Sequence, residues 1–123
     1  REIYGDTVDY TQSTGYGTVT GNAKLVVAEA IMTADYIESW LNEIRAIGTG
    51  NVKLHSEQRN LDASGDRIDY HQTPGKEDGV AYLSGNAYAV QNGNTLKGDA
   101  FTITMSDNAI QTEGRSTLVI TPK

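Results

Sequence analysis

Absences bound this chain before any motif does. Its 123 residues contain no cysteine. That removes disulfides, thiolate metal sites and thiol nucleophiles together, and leaves the redox compartment unmarked. Proline occurs twice, phenylalanine and tryptophan once each. No apolar run approaches the roughly eighteen residues of a membrane-spanning helix. Ten Lys and Arg face sixteen Asp and Glu, for a formal charge of −6. Neutralising nucleic-acid phosphates needs a basic face, so the charge argues against a nucleic-acid partner. The chain opens on REIYGDTVDY, without Met, and reads as processed or trimmed. A missing targeting signal therefore says nothing about compartment.

Glycine, in contrast, is plentiful at thirteen. Together with many Thr, Asn and Asp it announces frequent turns and short elements. The length suits one domain, 1–123, long enough to bury a core.

Internal repeats give the organisation. Four segments start with a small residue and Asp: GDTVDY at 5, ADYIES at 34, GDRIDY at 65 and GDAFTI at 98. Each is followed by a glycine landmark: GNAKLV at 21, GNVKLH at 50, GNAYAV at 85 and GRSTLV at 114. Asp6, Asp35, Asp66 and Asp99 are 29, 31 and 33 positions apart. Each Asp lies 15 residues before its glycine, except in the third copy, where the distance is 19. The loop TPGKEDG absorbs that difference. The repeats lie near 3–27, 32–56, 63–91 and 96–121.

This register settles the one ambiguous stretch. Residues 33–48, TADYIESWLNEIRAIG, carry Ile37, Trp40, Leu41, Ile44 and Ile47 at amphipathic-helix spacing. Yet Ile37 fills the slot of Val8, Ile68 and Phe101, which alternate with polar residues at period two. The other copies are interrupted by Gly and Pro and cannot be helical. The stretch is therefore expected to form strands at about 33–41 and 44–56, joined at Asn42–Glu43. The apolar phase also shifts by one residue across each Asp: Ile3, Met32 and Leu96 lie three before it, and Val8, Ile37 and Phe101 two after. A β-bulge or corner produces such a shift. No shift occurs at the glycine landmark, where Val19, Gly21, Ala23 and Leu25 keep one face. The expected fold is all-β: four bent hairpins of ~30 residues stacked into one rolled antiparallel sheet.

The recurring Gly/Ala-Asp-x-Val/Ile-x-Tyr, a turn, then Thr/Ser-Gly-Asn-Ala/Val-x-Leu resembles the OstA-like lipopolysaccharide-transport family, of the LptA, LptC and LptD amino-terminal type. The likeness covers about residues 3 to 121, and its specificity lies in the ordered repetition of short motifs. It implies a twisted, open antiparallel β-jellyroll, location in the periplasm of a double-membraned bacterium, and lipid A acyl chains held inside. It also implies end-to-end joining of such domains through exposed edge strands. The groove lining would be Val8, Tyr10, Leu25, Ile37, Val52 and Leu54, continued by Ile68, Tyr70, Leu83, Phe101, Ile103, Leu118 and Ile120. From the residues alone the same set also makes an ordinary dry sandwich core. Ala23, Ala87 and Ala89 at inward slots leave room in either case.

A net negative protein repels lipid A phosphates at long range. The headgroup is thus expected in solvent, with affinity supplied by acyl-chain burial. Lys24 and Lys53, at equivalent outward slots, read as solvated lysines protecting an edge strand. The expected edges lie near residues 2–10 and 114–121, with Pro122 ending the last strand. Their charges favour head-to-tail over head-to-head contact, hence a head-to-tail homo-oligomer.

Other constellations fail. His55 and His71 have no partner at metal-ligand spacing. The four Asp lie too far apart for a calcium loop, and read as turn or bulge acceptors for backbone amides. Ser13, Ser64 and Ser84 lack a nucleophile elbow. No enzyme, cofactor or metal is expected. The competing function is a structural or adhesive β-repeat domain with a closed core and no lipid ligand.

Overall fold

The structure, a computed structural model, describes residues 2–27, 30–73, 75–76, 79–106 and 109–121. Among the described residues nine strands follow one another: β1 (Glu2–Tyr4), β2 (Thr7–Thr11), β3 (Tyr16–Val26), β4 (Ile31–Trp40), β5 (Arg45–Ser56), β6 (Leu61–His71), β7 (Val80–Gln91), β8 (Asn94–Thr104) and β9 (Ala109–Val119). Each of β3 to β8 pairs antiparallel with the next, in one meandering sheet. Its first position is shared by β1 and β2, which both pair with β3 and are separated at Gly5–Asp6. The sheet does not close. β1/β2 and β9 form its two edges, as expected from the sequence; Pro122 lies outside the described residues, as do Pro74, Glu77 and Asp78 of the TPGKEDG loop.

The helix-like stretch resolves into β4, a turn and β5. Its apolar residues serve different faces: Ile37 is buried in the interior, while Ile47 alternates with buried Ala46 and Gly48 on the outer side. Among the described residues there is no α-helix.

A line of register shifts crosses the sheet at one level. They fall between Thr20 and Ala23, Thr33 and Tyr36, Thr49 and Val52, Ser64 and Arg67, Ser84 and Ala87, and Gly98 and Ala100. Bulges bend strands, so aligned bulges crease the whole sheet and divide each strand into two arms. Inward residues from both arms form one buried cluster, with Val19 and Ala23 from β3 and Ile37 and Met32 from β4. Against the face of Gly48, a Cβ would meet Ile68 Cγ2 at 3.0 Å and Met32 Sδ at 3.3 Å, from opposite arms.

The crease has a recurring chemistry. Gly21, Gly50, Gly85 and Gly114 all have positive φ, and so do the asparagines after the first three. Asn22, Asn51 and Asn86 each donate a side-chain N–H to Asp6, Asp35 and Asp66, at 3.1, 2.9 and 3.2 Å. Asp99 faces Arg115, whose backbone N–H donates to it at 3.3 Å. Asp6, Asp35 and Asp66 thus accept from asparagine side chains, while Asp99 accepts from a backbone amide, as the sequence suggested for all four. A second correction concerns Lys24 and Lys53: β3 and β5 are internal strands, so neither lysine guards an edge.

Candidate functional site

The interior is built by alternation. On β3 the inward residues are Gly17, Val19, Ala23 and Leu25, and on β6 Leu61, Ala63, Ile68 and Tyr70. The phase shifts across Asp66 but not across Gly21. Nine of the thirteen residues expected to line a groove are almost wholly buried there: Leu25, Ile37, Val52, Leu54, Ile68, Tyr70, Leu83, Phe101 and Ile103.

Val8, Tyr10 and Leu118 are different, being 49%, 54% and 58% exposed. Residues directly opposite one another in an antiparallel pair share a face. Val8 pairs with buried Val19, Tyr10 with Gly17, and Leu118 with Leu96, which packs on the core. These three point inward at the two edges, where no second layer covers them. Ile120, beyond β9, is also exposed.

The interior is open to unequal degrees along its border. Beside β8 and β9 a hollow of ≈ 430 Å³ opens, lined by Ala89, Leu96, Ile110 and Leu118 with Gln91, Asn94, Thr112 and Ser116. Its volume lies in the range of small-molecule sites, about 300–1,000 Å³. At the β4–β5 turn, between the tips of the two arms, a hollow of only ≈ 10 Å³ is left among Leu25, Val27, Ser39, Leu41, Ile44, Arg45, Ala46 and Tyr70. Ile110, Thr112 and Ser116 were not singled out from sequence, though their alternation with Leu118 on β9 carries the signal.

Among the described residues no charged side chain lines the open hollow. Charge is kept on the outer surface. Arg45 forks onto Asp69, with Nη2 at 2.9 Å and Nε at 3.3 Å, and stacks over Trp40 at 5.2 Å. The carboxylate raises the guanidinium pKa further. The Tyr16 hydroxyl donates to Glu38 at 2.7 Å, and this bond, aided by desolvation, pushes its pKa up to about 12. Tyr82 is also raised, first by the charge of Glu113. His55 Nδ1 lies 2.6 Å from Asp62 on the outer face. Among the described residues no three His, Asp or Glu side chains gather as a metal site. The interior therefore offers apolar burial and neutral hydrogen bonds, which suit holding a chain-like ligand.

Fold and site together define an open β-jellyroll with an apolar interior and a charged exterior. Residues 2–109 match the family model described as LptA/(LptD N-terminal domain) LPS transport protein. The chain belongs to that family, whose members are transport components and not enzymes. Among solved structures it is similar to LptH of Pseudomonas aeruginosa, described as the LptA homologous periplasmic component of the conserved lipopolysaccharide transport device. The TM-score is 0.84 at 16% identity, covering 98% of this chain and 94% of that one. At that identity the likeness is one of fold. Comparison with curated proteins gives no match.

Proposed function

We propose that residues 1–123 act as one periplasmic lipid-carrying unit, which holds lipopolysaccharide acyl chains in its apolar interior and passes them on through end-to-end assembly. The observation that carries this is the set of inward apolar side chains left uncovered at both edges, with the open hollow beside β9. A protein with no apolar ligand gains nothing from leaving Val8 and Leu118 in water. The proposed lining is Val8, Tyr10, Leu25, Ile37, Val52, Leu54, Ile68, Tyr70, Leu83, Phe101, Ile103 and Leu118, with Leu96 and Ile110 added at the mouth. The neutral lining agrees with phosphates staying in solvent while acyl chains supply the affinity.

Direction supports the assembly. Eight positions of alternating direction make β1/β2 and β9 run opposite ways. The β9 edge of one copy can thus receive β1/β2 of the next without breaking the antiparallel order. Such contacts do not close and grow as open filaments. Association should rise with concentration, and Leu118→Pro, which removes a backbone donor from the edge, should reduce it. A strict monomer at high concentration would refute the assembly.

A second reading, a structural or adhesive domain with a closed core, has its own support. Ile68, Leu83 and Phe101 are completely buried, so the middle of the empty protein is packed solid. A fluorescent acyl probe separates the two readings. The carrier binds it and releases it to lipopolysaccharide; exclusion of the probe leaves the closed-core domain.

A further inference from the structure

Ile44 is out of place. Among the described residues every other positive-φ position is Gly or Asn, yet Ile44 has φ 49. A β-branched residue is a genuine outlier in that region. The same last position of the other four-residue hairpin turns is held by Gly15, φ 71, and Asn60, φ 50. Residues of those types would fit the β4–β5 turn without backbone strain, so the turn alone does not account for isoleucine.

The side chain's surroundings do. Half-buried Ile44 and Leu41 close over the small hollow against Leu25, Val27 and Tyr70. The turn is tied down on both sides. The Leu41 N–H donates to the Gly15 carbonyl at 3.0 Å, and the Gln72 N–H to the Ile44 carbonyl at 3.0 Å. Strained residues persist where the surrounding structure over-determines them, and they gather at clamps and switches.

We propose that Ile44 is a plug: its side chain seals the interior between the arm tips at the β4–β5 turn, leaving the sheet edges as the open ways in. This rests on the interior being the lipid site, and it adds control of access to that site. Removal of the plug from its seat opens the interior to solvent at the β4–β5 turn, a side opening separate from the two edges.

The lack of cysteine allows a test that needs no lipid. Ser39 is 1% exposed and lines the sealed hollow. In the otherwise unchanged chain, Ser39→Cys should react slowly with a small water-soluble maleimide. Adding Ile44→Asn, which fits the left-handed turn, should speed that reaction by about tenfold or more, whereas Ile44→Val should keep it slow. Val52→Cys, buried in the other arm, should stay slow in both backgrounds. Equal Ser39→Cys rates with and without Ile44→Asn would overturn the plug, as would equal acceleration at Val52→Cys, which would mean general loosening. Acyl-probe binding by the unaltered chain is measured separately. Its failure sinks the lipid reading, while the thiol rates still decide for or against the plug.

Discussion

Phe101 and Leu118 sit at inward slots on adjacent strands, and their fates are opposite. Phe101 is fully buried between the arms, while Leu118 is 58% exposed. The alternation that places them is the same; what differs is whether another layer lies across from them. The middle of the sheet behaves as a core and its edges behave as open mouths, although one repeated pattern writes both. Close packing and uncovered inward side chains thus coexist in this chain, each in a different place.

The largest expected effect tests that difference directly. Phe101→Ala should cost about 3–5 kcal/mol in denaturant unfolding, as for a close-packed aromatic. Leu118→Ala should cost less than about 1 kcal/mol and instead weaken acyl-probe binding. Equal losses of stability would break the comparison.

A smaller effect uses the crease. A Cβ at Gly50 would lie 2.6 Å from Asp35 Oδ2, and at Gly114 2.5 Å from Asp99 Oδ2, both with positive φ. Gly50→Ala should cost about 1–3 kcal/mol. Gly114→Ala should cost less, because the edge strand can part locally from its neighbour. If the edge substitution proves the more damaging, β9 is as firmly held as the middle.

The edges can be probed without a change in stability. β9 should meet the next copy's β1/β2 as β3 meets β4, where Thr18 pairs with Glu38. Counting from the glycine and Asp landmarks puts Gln111 opposite Asp9 of the neighbour. Gln111→Cys and Asp9→Cys in one chain should form intermolecular disulfides that ladder on a non-reducing gel. Cross-linking confined to dimers would argue for a closed contact.

The smallest effect belongs to the outer face. Tyr16, an ordinary phenol near pKa 10 when unfolded, is raised to about 12 by Glu38. A folded pKa above the unfolded one gives stability that is fully present below about pH 10 and lost as pH rises through about 12. Tyr16→Phe should delete the most alkaline step from a tyrosinate absorbance titration and leave acyl-probe binding unchanged. Loss of probe binding would mean that the outer face also takes part.

Much of this was legible in the sequence. The spacing of Asp6, Asp35, Asp66 and Asp99 overruled the helical look of residues 33–48, and the phase shift marked the bulges. The burial of Ile37, Ile68 and Phe101 followed from period two. The exposure of Val8 and Leu118 did not, because alternation fixes the side of the sheet but not what lies across from it. Ile44 was also hidden, since isoleucine carries no preference for a left-handed turn. The asparagines were visible after each glycine, but their bonds to the aspartates depend on pairing between strands and not on local sequence.

The crease also sets an orientation. It runs across the strands, the direction in which a sheet extends when another edge is added. A gutter formed by the fold line therefore points along the axis of growth, whatever the number of copies. Each added copy would carry the gutter forward only if its bulges fall level with those of its neighbour. A slip of two residues would keep every side chain on its proper face yet offset the gutter by roughly 7 Å. In the proposed assembly the recurrent aspartate and glycine–asparagine pairs would then act as alignment marks, by which a channel built from separate pieces keeps a straight floor.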